Sequence, residues 1–131
     1  MSNDLFRETI VEHSRRPAHR GSLDAATVTH EEDNPLCGDR IRIDMLVVDG
    51  IVQDVKFSGH GCAISQASAD MLLDEVKGRS LAEVQQLNKQ TVLDLVGMPL
   101  SPARLKCALL ALKVLKVGAY GLTEWQEDDE E

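Results

Sequence analysis

Apolar residues fall at every second position on both sides of one tight turn, and this constrains the chain most. Ile41, Ile43, Met45 and Val47 alternate with Arg40, Arg42 and Asp44, Asp49-Gly50 supplies the turn, and Ile51, Val55 and Phe57 resume the pattern. A period of two puts alternate side chains on opposite faces of a strand, so this stretch predicts an antiparallel hairpin with one apolar face and one polar face. The apolar face has to be covered, and the rest of the chain supplies helices to cover it.

Leu5, Phe6, Ile10 and Val11 follow helical spacing from Asp4 to about Ser14, ahead of Arg15-Arg16-Pro17. Ala26 to Thr29 is read as a short strand, and a charged loop then leads to Asn34-Pro35-Leu36-Cys37-Gly38-Asp39. Ser58-Gly59-His60-Gly61-Cys62 is expected to break the second strand of the hairpin. A helix over Ala63 to Lys77 follows, with Ile64, Ala67, Met71, Leu72 and Val76 on one stripe and Gly78 at its end. Ser80-Leu81-Ala82-Glu83 is a capping box, Thr91 to Val96 is a short helix stopped by Gly97, and Ser101-Pro102 opens a long helix to about Gly118. Strand pairs early and helices late make the fold class α+β, an antiparallel sheet packed on one face by helices in a single domain. That domain is expected to occupy residues 1–120, and 121–131 to form an acidic, disordered tail.

The composition excludes several roles. A net charge of -8 repels polyphosphate, and four aromatic residues offer little for stacking bases, so nucleic acid is not an expected partner. No apolar run is long enough to span a bilayer and the first residues carry no export signal, so a cytoplasmic protein with no membrane partner is expected. In a reducing compartment three cysteines, an odd number, point to metal binding or thiol chemistry rather than disulfides.

A lone cysteine is usually a small buried hydrophobe, but the settings of these three differ from that. Cys37 lies between Pro35 and Gly38 in a loop, the most exposed setting of the three. Cys62 follows Gly59-His60-Gly61 where a strand hands over to a helix, a position that favours negative charge on its sulfur. Cys107 lies one to two turns into the last helix, with Arg104 on its face and Lys106 beside it. Those cations are either exposed helix charges or a means of steering an anionic persulfide or an acidic partner. The intervals between the cysteines match no zinc-finger pattern, so only the fold can assemble a site from them. Three thiolates leave a tetrahedral site one ligand short. Asp39 is either that ligand or a simple turn aspartate, and His60 is either an accessory ligand or a solvated loop residue. His13, His19 and His30 are read as surface residues.

Three segments, Asn34-Pro35-Leu36-Cys37-Gly38-Asp39, Gly59-His60-Gly61-Cys62-Ala63-Ile64-Ser65-Gln66-Ala67-Ser68-Ala69 and Arg104-Leu105-Lys106-Cys107-Ala108, together resemble the U-type iron-sulfur cluster assembly proteins, the NifU-like, IscU-like and SufU-like family. The resemblance runs from the N-terminal helix to about Tyr120. It implies a three-stranded antiparallel sheet and a site near its end where Cys37, Asp39, Cys62 and Cys107 meet, holding zinc or a transient iron-sulfur cluster. It also implies partners: a cysteine desulfurase that passes persulfide sulfur to one of these thiolates, with the loop residue Cys37 as the expected acceptor, and acceptor apo-proteins or cluster carriers downstream.

Two marks of the subfamily point in opposite directions. IscU-like members carry a histidine directly before the third cysteine; here that residue is Lys106, as in the SufU-like branch. Yet the interval from Cys62 to Cys107 is too short for the insertion usual in that branch. A protonated lysine cannot coordinate a metal, which leaves Asp39 as the fourth ligand. The expected function is a scaffold or sulfur carrier for cluster biogenesis rather than a small-molecule enzyme. The alternatives are a zinc-dependent sulfurtransferase that carries no cluster and a zinc-stabilised interaction module.

Overall fold

The computed structural model describes residues 3–34 and 38–120. Among them the elements run α1 (Asn3–Arg15), β1 (Val28–Asn34), β2 (Asp39–Val48), β3 (Ile51–His60), α2 (Ala63–Val76), α3 (Leu81–Gln86), α4 (Lys89–Val96) and α5 (Pro102–Tyr120). The strands form one antiparallel sheet in the order β1-β2-β3, the α+β architecture expected.

The hairpin turn works as its residues dictate, with Asp49 at φ 52° and Gly50 at φ 77°, the positive pair that matches the twist of the flanking strands. The alternation is less regular than the sequence suggests. The pairing passes from Leu46 with Asp54 to Val47 with Val52, leaving Gln53 as an extra residue in β3. That bulge shifts the parity, so Val52 is buried while Ile51 is exposed, contrary to its expected place on the apolar face.

β1 also departs from the expected span. It covers Val28–Asn34 rather than Ala26 to Thr29, pairing the polar run His30-Glu31-Glu32-Asp33 along β2 in the place expected to be a charged loop. Its ladder bonds come from the backbone, so low β-propensity side chains are tolerated on an edge strand. β3 continues through Ser58 and Gly59 to His60, so the glycine does not break the strand. Gly59 sits at φ 125°, opposite Ile41, and a Cβ there would strike the carbonyl group of Arg40.

α2 is the central helix, with Ile64 through Leu73 all buried between α1, α5, α4 and β3. Small residues (Ala67, Ser68, Ala69) permit that crowding. It stops at Lys77, followed by Gly78 at φ 91°. α3 opens on the Ser80–Glu83 capping box and α4 on Asn88, whose side chain accepts the Gln90 and Thr91 amides. Pro102 is the first residue of α5, and the Ser101 hydroxyl accepts the Arg104 amide at 3.3 Å. α5 runs past Gly118 because that residue faces Val28 and Met45 and lets the helix close on the sheet.

Phe57, Ile41, Ile43, Met45, Leu72, Leu73, Leu112 and Leu115 are fully buried and fuse sheet, α2 and α5 into one core. Each contributes about 1.5–3 kcal/mol from burial. The N-terminal segment is tied on by polar bonds. Buried Asp70 of α2 takes the His13 ring at 2.7 Å and the His19 amide at 2.9 Å. Residues 19–21 run along the outer edge of β3, where Phe57 receives and donates one bond each. His19 is thus buried, and His13, His19 and His30 each pair with a carboxylate instead of lying free on the surface.

Candidate metal centre

Four chain segments reach the same end of the sheet. β2 begins at Asp39, β3 ends at His60, α2 follows Cys62, and the second turn of α5 carries Cys107. Asp39 is only 1% exposed and Cys107 3%, whereas Cys62 is half-buried and opens the site to one side.

One carboxylate oxygen of Asp39 and the sulfurs of Cys62 and Cys107 all lie within 4.8 Å of one another. Tetrahedral zinc bound through sulfur at about 2.3 Å spaces its sulfur ligands about 3.8 Å apart, so this grouping already approaches coordination size. Neither Cys62 nor Cys107 is in a disulfide. Soft sulfur and one hard oxygen form a donor set that suits zinc and also the iron of a cluster. Cys37, with Pro35 and Leu36, lies outside the described residues, so its expected place at the site and as sulfur acceptor is not described. The tail 121–131 lies outside them as well.

The local structure explains how the three groups meet. Cys62 is the N-cap residue of α2, in extended conformation, and its own side chain does not cap the helix. Asp39 acts as the cap from the neighbouring strand β2: its Oδ1 accepts the Cys62 amide at 3.0 Å. The Ser65 hydroxyl and the Gln66 amide donate to the Cys62 carbonyl at 3.0 and 3.1 Å, closing the first turn. With no acidic residue in that turn, Asp39 is the carboxylate at this positive helix end.

Gly61 makes this contact possible. A Cβ on Gly61 would overlap both the Asp39 carboxylate and the Ser65 hydroxyl. The close approach at Gly61 is thus to a side chain of this same chain, Asp39.

The accessory residues divide. His60 is exposed at the end of β3 opposite Arg40 and is not among the side chains whose ligand atoms converge. Arg104 and Lys106 are exposed on α5 and make no ion pair among the described residues. They place positive charge beside Cys107 on an otherwise acidic chain. Arg40 is committed elsewhere: it bonds Asp33 at 2.7 Å, which holds the Asp33 carboxyl below the usual carboxylate range and ties the end of β1 to β2.

Arg20 also belongs to the frame of the site. Its guanidinium donates to the Gln66 side-chain oxygen at 2.5 Å and to the Gly59 carbonyl at 2.9 Å, bracketing the turn that presents Cys62. Nothing in the sequence around Arg20 signals this, because both partners are distant in the chain.

Residues 5–128 match the family described as NifU-like N terminal domain. The chain belongs to that NifU-like family. It is 35% identical to the zinc-dependent sulfurtransferase SufU of Bacillus subtilis, over 87% of this chain and 88% of that one. It is 36% identical to the iron-sulfur cluster assembly scaffold protein IscU of Thermotoga maritima, over 86% and 90%. Among solved structures, a putative iron-sulfur cluster assembly scaffold protein for the SUF system from Fervidobacterium islandicum superposes with a TM-score of 0.78 at 27% identity, covering 91% of this chain and 99% of that one. The NifU-like chain thus shares its fold and most of its length with relatives of both the scaffold and the sulfurtransferase kind. Among its described residues no helix is long and apolar enough to cross a membrane.

Proposed function

We propose that this chain is an iron-sulfur cluster assembly protein that takes persulfide sulfur from a cysteine desulfurase and assembles it into a cluster or relays it onward. The observation that carries this reading is the convergence of Asp39, Cys62 and Cys107 within 4.8 Å at the end of the sheet. Family membership and relatives named as scaffolds support it. Cys37 completes the proposed set as fourth ligand and sulfur acceptor, in the cytoplasm, with acceptor apo-proteins or cluster carriers as recipients. Residues 1–120 form the working unit, and the acidic stretch 121–131 lies beyond it.

The chemistry is thiolate attack on the outer sulfur of a persulfide, with the desulfurase thiolate as leaving group. Half-buried Cys62 gives a partner loop one side of access, while buried Asp39 and Cys107 form the floor. A site with one oxygen among its ligands holds a cluster less tightly than four thiolates, which suits a protein that hands its cargo on.

A second reading is favoured by Lys106, which cannot ligate, and by the similarity to SufU of Bacillus subtilis: zinc held by the same residues and sulfur relayed without a cluster. Purification without air separates the two. The scaffold takes up iron and sulfide and develops visible absorbance; the sulfurtransferase stays colourless with about one zinc per chain and accelerates the desulfurase. Unchanged desulfurase-dependent sulfur or cluster transfer by the Cys37→Ala, Cys62→Ala and Cys107→Ala variants would refute both.

A further inference from the structure

We infer that Gly61 is a positioning residue for the metal centre: its missing side chain lets the Asp39 carboxylate lie against the Cys62 amide and so sets which oxygen the site presents. The inference rests on the proposed reading of the site.

Two glycines flank His60, and they do different work. Gly59 has a positive φ and faces the backbone of Arg40, so its requirement is conformational and belongs to the β2–β3 ladder. Gly61 lies outside the left-handed region, so its backbone would accept any residue; what forbids a side chain there is the space. The atoms nearest a Cβ on Gly61 are Asp39 Oδ1, Ser65 Oγ and Asp39 Cγ, two of the three belonging to the carboxylate in the metal-capable group.

Those atoms cannot move independently. Asp39 Oδ1 accepts the Cys62 amide, and Ser65 Oγ donates to the Cys62 carbonyl. A methyl at Gly61 would drive the carboxylate off that amide and out of its present position relative to the two sulfurs. Ser65 has an outlet, since rotation about one bond turns its hydroxyl aside. Asp39, 1% exposed at the start of β2, has no comparable room.

Cobalt(II) and zinc binding by Gly61→Ala tests this, alone and combined with Asp39→Ala or Ser65→Ala, with thermal unfolding of each metal-free protein. Gly61→Ala is expected to weaken metal binding by about 10–100-fold, as loss of a ligand-orienting contact does, and to shift the cobalt ligand-field bands. Combined with Asp39→Ala it should add almost nothing to that variant's loss, in affinity or in unfolding midpoint; combined with Ser65→Ala its deficit should remain. Equal losses in every background, or relief by Ser65→Ala alone, would overturn the inference. If the unsubstituted protein binds neither metal, the reading of the site fails, while the unfolding comparison still decides whether Gly61 acts through Asp39.

Discussion

The Oδ1 atom of Asp39 accepts the backbone amide of Cys62 at 3.0 Å, so one carboxylate both caps α2 and belongs to the metal-capable group. Substitution can separate the two roles. Asp39→Asn keeps an oxygen for the Cys62 amide but removes the charge that favours a metal; Asp39→Ala removes both. Zinc affinity should fall in both variants, whereas only Asp39→Ala should lose about 1–2 kcal/mol of metal-free stability, the cost of an uncapped helix start. Urea unfolding and competitive zinc titration measure the two effects.

Gly59→Ala should damage the fold rather than the site alone. A side chain at φ 125° is strained, and its Cβ would meet the backbone carbonyl of Arg40, which cannot turn aside. The strain alone costs about 1–3 kcal/mol. The midpoint of thermal unfolding should drop by several degrees or the variant should fail to fold; an unchanged midpoint would contradict the close approach.

Where local pattern governs, the sequence was sufficient. The Asp49-Gly50 turn, the Ser80–Glu83 capping box and Ser101-Pro102 each act within a few residues, and the structure has all of them where expected. Cys62 at the handover from strand to helix was legible for the same reason. What escaped depends on partners far along the chain. β1 is polar because an edge strand draws its ladder from backbone atoms, so His30 to Asn34 gave no alternation to read. The bulge at Gln53 exchanged Ile51 for Val52 on the buried face. The cap from Asp39 to Cys62 joins the start of β2 to the residue beyond β3, and no local motif encodes it. Cys37 and the tail beyond Tyr120 lie outside the described residues.

Arg20→Ala should lower stability by about 1–3 kcal/mol, because it leaves the buried Gln66 oxygen without its donor beside a Gln66 nitrogen that already lacks a partner. Arg20→Lys should recover part of this, since an ammonium can reach one of the two acceptors but cannot bridge both. Denaturant unfolding of the two variants gives the comparison.

Asp44 predicts how the fold responds to acid. Burial pushes its carboxyl up, but the Leu23 amide, Arg42 and Thr29 together outweigh that and hold it below the usual aspartate range. A carboxyl lowered in the folded state stabilises the protein above its unfolded pKa, and that stability is lost as the pH falls through the folded value. The stability advantage of the natural chain over Asp44→Asn should therefore hold near neutrality and shrink in acid below the usual aspartate range. A gap that stayed constant across the acid range, followed by denaturant midpoint, would contradict the assignment.

Transfer of sulfur from a cysteine desulfurase supplied with radiolabelled cysteine tests the central claim most directly, with label located by peptide mapping under non-reducing conditions. The account predicts protein-bound label, released by reductant, on one or more of Cys37, Cys62 and Cys107, and none on a variant with all three replaced by alanine. No label on the natural chain, or equal label on the triple variant, would show that these cysteines do not receive the sulfur.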